Sequence, residues 1–187
     1  MNEPRPSPTE LPVSVLVLRC QAGDEAAFAR LVEEFGPRVL GYLRGLVGEE
    51  AEDVHQEVWL AVYRRLGGLV NPGGFRTWLY QTARHRAIDI LRRQRRAQEL
   101  FVENAEMDAV AALEPSPEGM ASVLAEEMLE RLPPLQREVV LLRYRDGLSY
   151  AEMALIAGCS VGTVRSRLFY ARQRLAQGAK GILPTEV

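Results

Sequence analysis

The stretch from Ser149 to Leu175, SYAEMALIAGCSVGTVRSRLFYARQRL, constrains the fold more than any other part of the chain. Ser149 and Glu152 stand at the spacing of a capping box, in which the serine covers an orphan backbone N–H and the glutamate reaches back. A short apolar helix then meets Gly158-Cys159, where glycine permits a sharp turn, and Ser160 can cap a second helix. A short helix, a glycine turn and a longer helix are the parts of a helix-turn-helix. On the longer helix Val161, Val164, Leu168, Ala171 and Leu175 step by three and four and predict one packed stripe. Gly162, Ser166, Phe169, Tyr170 and Gln173 lie roughly opposite, with Arg165 to one side and Arg167, Arg172 and Arg174 on the flanks. Such a helix can pack on one face and enter a DNA major groove with the other. Flanking arginines suit phosphates, while Arg165, Ser166 and Gln173 suit base edges. The competing reading is a solvated amphipathic helix in a bundle, which the absence of any acid from Val164 to Lys180 weakens.

Elsewhere the apolar residues also recur at helical spacing, and no alternating strand-like segment stands out. Pro4, Pro6, Pro8 and Pro12 mark residues 1–12 as a disordered tail. LPVSVLVLRC is assigned a short helix, and Asp24 is placed as the N-cap of the next, with Phe28, Leu31, Val32 and Phe35 on its apolar face. Gly36-Pro37 reads as a stop and restart, after which Val39, Tyr42, Leu43, Leu46 and Val47 continue that face. A third helix is expected from about Ala51 to Leu66, a loop over GGLVNPGG at 67–74, and a long helix from Phe75. Residues 97–121, with Pro115, Pro117 and Gly119 and no sustained period, read as a linker. Four helical windows follow, Ser122–Leu132, Pro134–Arg145, Tyr150–Ala157 and Val161–Ala176. The expected fold class is all-α: two small helical domains, 13–96 and 122–179, joined by a flexible acidic linker, with a short tail at 180–187. The C-terminal domain is the helix-turn-helix.

The chain's net charge of −2 conceals a strong separation of charge. Seven arginines face one acid between Arg76 and Arg96, nine acids stand unopposed from Ala97 to Glu130, and a second basic block runs from Val164 to Lys180. Two basic blocks around an acidic one mark two candidate polyanion-binding surfaces. No apolar run approaches the roughly 18–20 residues of a membrane-spanning helix, and neither a basic segment nor a cleavage-like site flanks the short stretch 11–18, so no signal peptide is expected. Cys20 and Cys159 fit neither a disulfide framework nor a metal motif. These features together point to a cytoplasmic protein, with no metal or cofactor expected.

Two further stripes emerge from helical arithmetic. The basic helix has a core side of Phe75, Leu79, Ala83, Ala87 and Ile90, and a separate stripe of Trp78, Gln81, His85, Asp89, Arg92 and Arg96. Aromatic, amide and basic groups on one face can stack on unpaired bases, worth roughly 1–3 kcal/mol per base. This helix alone leaves open the alternative of a core tryptophan beside solvated arginines. The third helix carries Asp53, Gln56, Glu57, Leu60 and Arg64 opposite a core side of Val54, Val58, Ala61 and Val62. An acidic, amide-bearing stripe with an outward leucine suits a protein partner better than DNA, and an ordinary solvated face stays open beside it. His85 and Asp89, four apart, are the one pair spaced for acid–base work, and no nucleophile, glycine-rich phosphate loop or metal cluster accompanies them. No enzymatic activity is expected.

In the order of its segments the chain resembles bacterial extracytoplasmic-function (ECF, group 4) sigma factors. The resemblance rests on AEDVHQEVWLAVYRRL at 51–66, FRTWLYQTARHRAIDILRR at 75–93 and LERLPPLQREVVLLRYRDGLSYAEMALIAGCSVGTVRSRL at 129–168. The GCSVGTVRSRL portion alone is less specific, since response regulators share such helix-turn-helices, but those usually carry an alternating strand–helix receiver domain, absent here. The resemblance implies a subunit that binds core RNA polymerase and directs promoter recognition, −10 melting and initiation. Asp53, Gln56, Glu57 and Leu60 would dock on the β′ clamp helices. Trp78, Gln81, His85, Arg92 and Arg96, with Asn71 in the 67–74 loop, would open and read the −10 element. Thr163, Arg165, Ser166, Phe169, Tyr170, Arg172 and Gln173 would meet the −35 element. The implied partners are core RNA polymerase, including its β flap, promoter DNA, and an anti-sigma factor that holds the chain, in some relatives, near the membrane. His85 departs from the asparagine usual in the family, and Phe169-Tyr170 from a frequent basic pair. The end at Val187 leads to no expectation of an appended regulatory domain. The alternative function is a helix-turn-helix regulator that acts without polymerase, which has no need of the Asp53/Gln56/Glu57 stripe.

Overall fold

Asp24 starts the helix on which the N-terminal half is built: its side chain accepts a hydrogen bond from the Ala27 amide at 3.0 Å. In the computed structural model, which describes residues 11–100 and 128–182 (backbone only at 94–100 and 178–182), α1 spans Val13–Gln21 and α2 spans Glu25–Val47. The tails at 1–10 and 183–187 and the expected linker from residue 101 onward lie outside the described residues.

The stop expected at Gly36-Pro37 does not occur, and α2 runs through it. Proline inside a helix removes one backbone hydrogen bond and costs about 3 kcal/mol. Leu31 and Phe35 before it, and Val39, Tyr42 and Leu43 after it, are all buried on the same helix. Each fully buried apolar side chain returns roughly 1.5–3 kcal/mol, so continuation of the helix outweighs the lost bond.

One 3-10 turn, Gly48–Glu50, leads into α3, Ala51–Arg65. The glycine-rich loop then forms two further 3-10 turns, Leu66–Gly68 and Pro72–Gly74, before α4, Phe75–Leu100. Helix α4 passes the expected domain edge at Arg96 by a full turn. It buries Phe75, Leu79, Tyr80, Ala83 and Ala87, with Ile90 half-buried. Edge-to-face ring pairs tie it to α2, Phe35 with Phe75 at 5.5 Å and Tyr42 with Tyr80 at 5.4 Å.

The C-terminal helices are α5, Pro134–Val140, extended by a π-helical turn at Leu141–Arg145, then α6, Tyr150–Ala157, and α7, Val161–Ile182. The capping box at Ser149/Glu152 is complete, and Gly158 adopts the left-handed conformation, φ 62°, that turns α6 into α7. Val164, Leu168 and Ala171 are buried, whereas Val161 at the open first turn remains more than a third exposed. Among the described residues every regular element is helical.

The two groups of helices do not stand apart. α6 lies along α4, and α5 with its π turn lies on α2, so that buried residues of both halves form one continuous cluster. Glu138, only 3% exposed, accepts from Arg84 Nε at 2.6 Å and from the Tyr42 hydroxyl at 3.1 Å across this contact. The Gly158 turn makes a direct prediction. A Cβ there meets no atom within 4 Å, so Gly158→Ala pays only backbone strain, and chemical denaturation should show a loss of about 1–2 kcal/mol.

Candidate nucleic-acid and protein-docking interfaces

Helix α3 sorts its side chains cleanly. Ala51, Val54, Val58, Ala61 and Val62 are buried, which turns Asp53, Gln56, Glu57, Leu60 and Arg64 outward, all exposed. Beside this stripe an apolar groove opens between α2 and α3, lined by Phe28, Val32, His55, Gln56, Trp59, Leu60 and Tyr63. Phe28 packs edge-on against Trp59 at 5.9 Å and Tyr63 at 5.2 Å, while Leu60 is 55% exposed. Sequence reasoning placed Phe28 and Val32 on the apolar face of α2, and both pack half-buried against the core. Only the half-buried state of both, next to an exposed Tyr63, reveals the groove. Glu57 also reaches Arg86 of α4 at 3.7 Å, an exposed pair of small energetic consequence.

His55 closes the inner end of the groove. Its Nε2 lies 3.1 Å from the Gly36 carbonyl oxygen and 2.9 Å from the Trp59 indole nitrogen. A neutral ring nitrogen satisfies one of these, donating to the carbonyl or accepting from the indole. Burial lowers the imidazole pKa below its usual value, against a weaker opposing pull from Gly36 and Glu52.

The loop before α4 is pinned from below, since Gln21 Nε2 donates to the Leu66 and Leu69 carbonyls at 3.0 and 2.9 Å. Asn71 is exposed, and its side-chain oxygen accepts from the Gly73 amide at 3.1 Å, so the side chain is held against its own turn. Val70 beside it is 96% exposed, a residue the sequence reading did not single out.

On α4, His85, Asp89 and Arg92 are exposed, and Trp78 is half-buried against Phe75 at 6.2 Å. Gln81 is less free, since its Nε2 donates to the Leu155 carbonyl of α6 at 3.0 Å. Arg84 is bound to Glu138, and Arg76 donates to the Asp146 carbonyl. The basic block is thus split between a free outer part around Arg92 and Arg93 and an inner part engaged by the C-terminal helices. The Arg96 side chain lies outside the described residues.

On α7, Arg165, Ser166, Phe169, Tyr170, Arg172 and Gln173 share the exposed surface, with Thr163 half-buried at its start. The Thr163 amide donates to Ser160 Oγ at 3.0 Å, and Ser166 Oγ donates to the Thr163 carbonyl at 3.0 Å. Two tyrosines outside the expected site orient the arginines. Arg172 Nε donates to the Tyr144 hydroxyl at 2.7 Å, while Arg143 and Arg165 lie over the Tyr150 ring at 5.2 and 5.9 Å. Arginines held on rings keep their outer N–H groups aimed at solvent, as phosphate contacts require. Nothing in the spacing of Arg143 and Tyr144 pointed to this pairing, which needs the fold to bring 143–144 beside 165–172. Among the described residues no cluster of three metal-ligating side chains occurs, and no helix is long and apolar enough to cross a membrane.

Comparison with known proteins matches the chain to one family. Residues 31–97 match Sigma-70 region 2, and residues 122–175 match Sigma-70, region 4. The chain is 34% identical to an RNA polymerase sigma-H factor of Pseudomonas aeruginosa over 90% of this chain and 94% of the relative. It is 36% identical to an ECF RNA polymerase sigma-E factor of Escherichia coli K12 over 89% of this chain and 93% of that relative. Among solved structures it resembles CnrH in complex with the cytosolic domain of CnrY, with TM-score 0.69 and 25% identity, covering 91% of this chain and 99% of that one. The fold is also that of RpoE from Bartonella quintana, solved with the anti-sigma factor NepR, with TM-score 0.70 and 24% identity over 83% of this chain and 98% of that one.

The groove also carries a pH prediction. A histidine whose folded pKa is depressed contributes stability above its unfolded value, about 6.5, and loses it as pH falls through the folded one. Thermal melts should therefore show a modest fall in Tm on acidification below about pH 6.5, and His55→Gln should flatten that part of the profile.

Proposed function

Because this chain belongs to the ECF sigma factors of the sigma-70 family, which bind core RNA polymerase and direct promoter recognition, we propose a division of labour among its exposed faces. The Asp53, Gln56, Glu57 and Leu60 stripe, with the adjoining Phe28–Tyr63 groove, is the polymerase-docking face, gripping the β′ clamp helices. Acid and amide groups supply orientation there, and the groove supplies the desolvated apolar area on which affinity depends. Trp78, Gln81, His85, Arg92 and Arg96 of α4, with Asn71 in the preceding loop, form the −10 face, where the half-buried Trp78 offers a ring edge to an unstacked base. Thr163, Arg165, Ser166, Phe169, Tyr170, Arg172 and Gln173 of α7 form the −35 face, and the C-terminal helices also contact the β flap. Residues 13–96 and 122–179 are the corresponding domains.

The observation that carries this reading is the exposed acidic stripe and its groove on α3, a surface of different chemistry from the two basic faces. A regulator that only binds DNA has no use for it. The catalytic step belongs to the polymerase, and this chain selects where synthesis starts, in the cytoplasm. An anti-sigma factor that embraces both groups of helices is a fitting partner, since the named relatives CnrH and RpoE were each solved with a bound protein.

Two measurements test the assignment. The double variant Asp53→Ala/Gln56→Ala should lose at least about tenfold in core-polymerase affinity, as removal of a hot spot does, with duplex DNA binding unchanged. If polymerase binding survives, the docking face is misplaced. Replacing both flanking arginines Arg172 and Arg174 with Gln should weaken duplex binding and lower the slope of log K against log salt by about 2, one phosphate contact each. An unchanged slope would place the −35 phosphates elsewhere.

A further inference from the structure

Not all of the chain's positive charge lies on the faces assigned above. An open cleft of about 240 Å³ lies between α2 and the π-helical turn, with Arg44, Glu130, Arg137, Leu141 and Arg145 among its lining residues. Gly41 and Gly45 contribute bare backbone to its wall, which lets two neighbours come close: a Cβ on Gly41 would run into the Arg145 guanidinium, and one on Gly45 into the Leu141 side chain. Three guanidiniums and one carboxylate thus share a small volume.

These arginines are held in place without being neutralised. Arg137 Nε donates to the Leu129 carbonyl at 2.9 Å, its Nη1 to Gly45 at 3.4 Å, and its Nη2 to Leu132 at 3.3 Å and to Glu130. Arg145 Nη1 donates to the Gly41 carbonyl at 3.0 Å. Carbonyls satisfy N–H groups but leave the formal charge, and among the described residues neither arginine forms an ion pair, unlike Arg19 and Arg84. A guanidinium carries five N–H donors, and only Nη1 of Arg145 meets an acceptor among the described residues. Arg44 brings the third charge. Its Nη2 pairs with Glu52 at 2.6 Å, but both side chains are more than half exposed, and such a pair yields readily to a stronger acceptor. Charges gathered before a ligand arrives need no further ordering when it binds.

Size and chemistry narrow the occupant. No aromatic ring lines the cleft, so a base finds nothing to stack on, and the volume falls below the roughly 300–1,000 Å³ of sites for drug-sized molecules. Three forked donors exceed what the two oxygens of one carboxylate employ, and they suit a multiply charged group with several oxygens. We propose that this cleft binds a compact diphosphate, either free pyrophosphate or the diphosphate end of a larger molecule. Arg44 and Arg145 supply hydrogen bonds to its oxygens, and Arg137 adds fixed charge. Glu130, exposed among the lining residues, opposes the anion and limits its affinity. The site goes beyond the sigma-factor reading and does not depend on it.

The test is calorimetric titration of sodium pyrophosphate into the full chain at low ionic strength, without divalent cations. One saturable site is expected. Arg145→Gln should weaken binding about tenfold or more, as loss of charge-assisted hydrogen bonds does. Arg44→Gln, at an exposed side chain, should weaken it at least about fivefold. Glu130→Gln should tighten it about twofold or more by removing a like charge. Arg30→Gln, which removes an exposed charge of α2 outside the cleft, should leave the affinity unchanged. If circular dichroism shows that Arg145→Gln does not fold, the Arg44 and Glu130 variants decide alone. ADP separates the two sources: binding at least as tight as that of pyrophosphate assigns the diphosphate end of a larger molecule, and weaker binding assigns the free anion. Absence of a saturable site, equal weakening by Arg30→Gln and Arg44→Gln, or sulfate binding as tightly as pyrophosphate overturns the proposal. Displacement of pyrophosphate by a twenty-base-pair duplex also overturns it, since the arginines would then serve nucleic acid.

Discussion

Helix α2 is the element on which both halves of the fold lean. It receives α1, α3 and α4 on its sides and α5 with its π turn at its far end, so its buried residues Leu31, Phe35, Val39, Tyr42 and Leu43 serve several interfaces at once. That demand explains why the helix tolerates Pro37. Breaking there would detach the Val39–Leu43 half, with its ring pair to α4 and its hydroxyl to Glu138, from the Leu31–Phe35 half. The loss of several buried side chains exceeds the approximately 3 kcal/mol of an internal proline.

Polar chemistry is then distributed by what that core leaves outside. Glu138 is buried and paired, and it gains from both Arg84 and Tyr42 what water would otherwise supply. Burial and the neighbouring Glu138 carboxylate drive the Tyr42 pKa far up, so the hydroxyl stays a donor. The outer arginines of α4 and α7 have no such partner in the core and keep their charge on the surface. Those on α7 are steadied by Tyr144 and Tyr150 instead of by acids, which preserves the positive field that nucleic acid requires.

Much of this was legible beforehand because it is local. The capping box at Ser149, the left-handed turn at Gly158 and the Asp24 cap follow from backbone chemistry within a few residues, and the structure forms each of them. The outward stripe of α3 is equally legible, since a 3.6-residue period assigns faces without knowledge of neighbours. Reading failed where a residue's fate depends on distant chain. Pro37 looked like a boundary because its cost is local and its compensation is not. Phe28 and Val32 read as part of an apolar face, and periodicity could not show that they also line an open groove, which among the described residues no element covers.

The sequence by itself therefore determined the elements, their faces and the family, through short-range periodicity and motifs carried in order along the chain. Tertiary structure alone decided which basic residues are free. Arg76, Arg84 and Arg92 belong to one block and are indistinguishable by composition, but only Arg92 faces solvent, because the other two meet acceptors brought from 54 to 70 residues away. The same holds for Gly41 and Gly45, whose lack of side chains has no meaning along α2 and acquires one when Arg145 and Leu141 close upon them. Long-range contacts depend on packing of the whole chain, which local pattern does not encode.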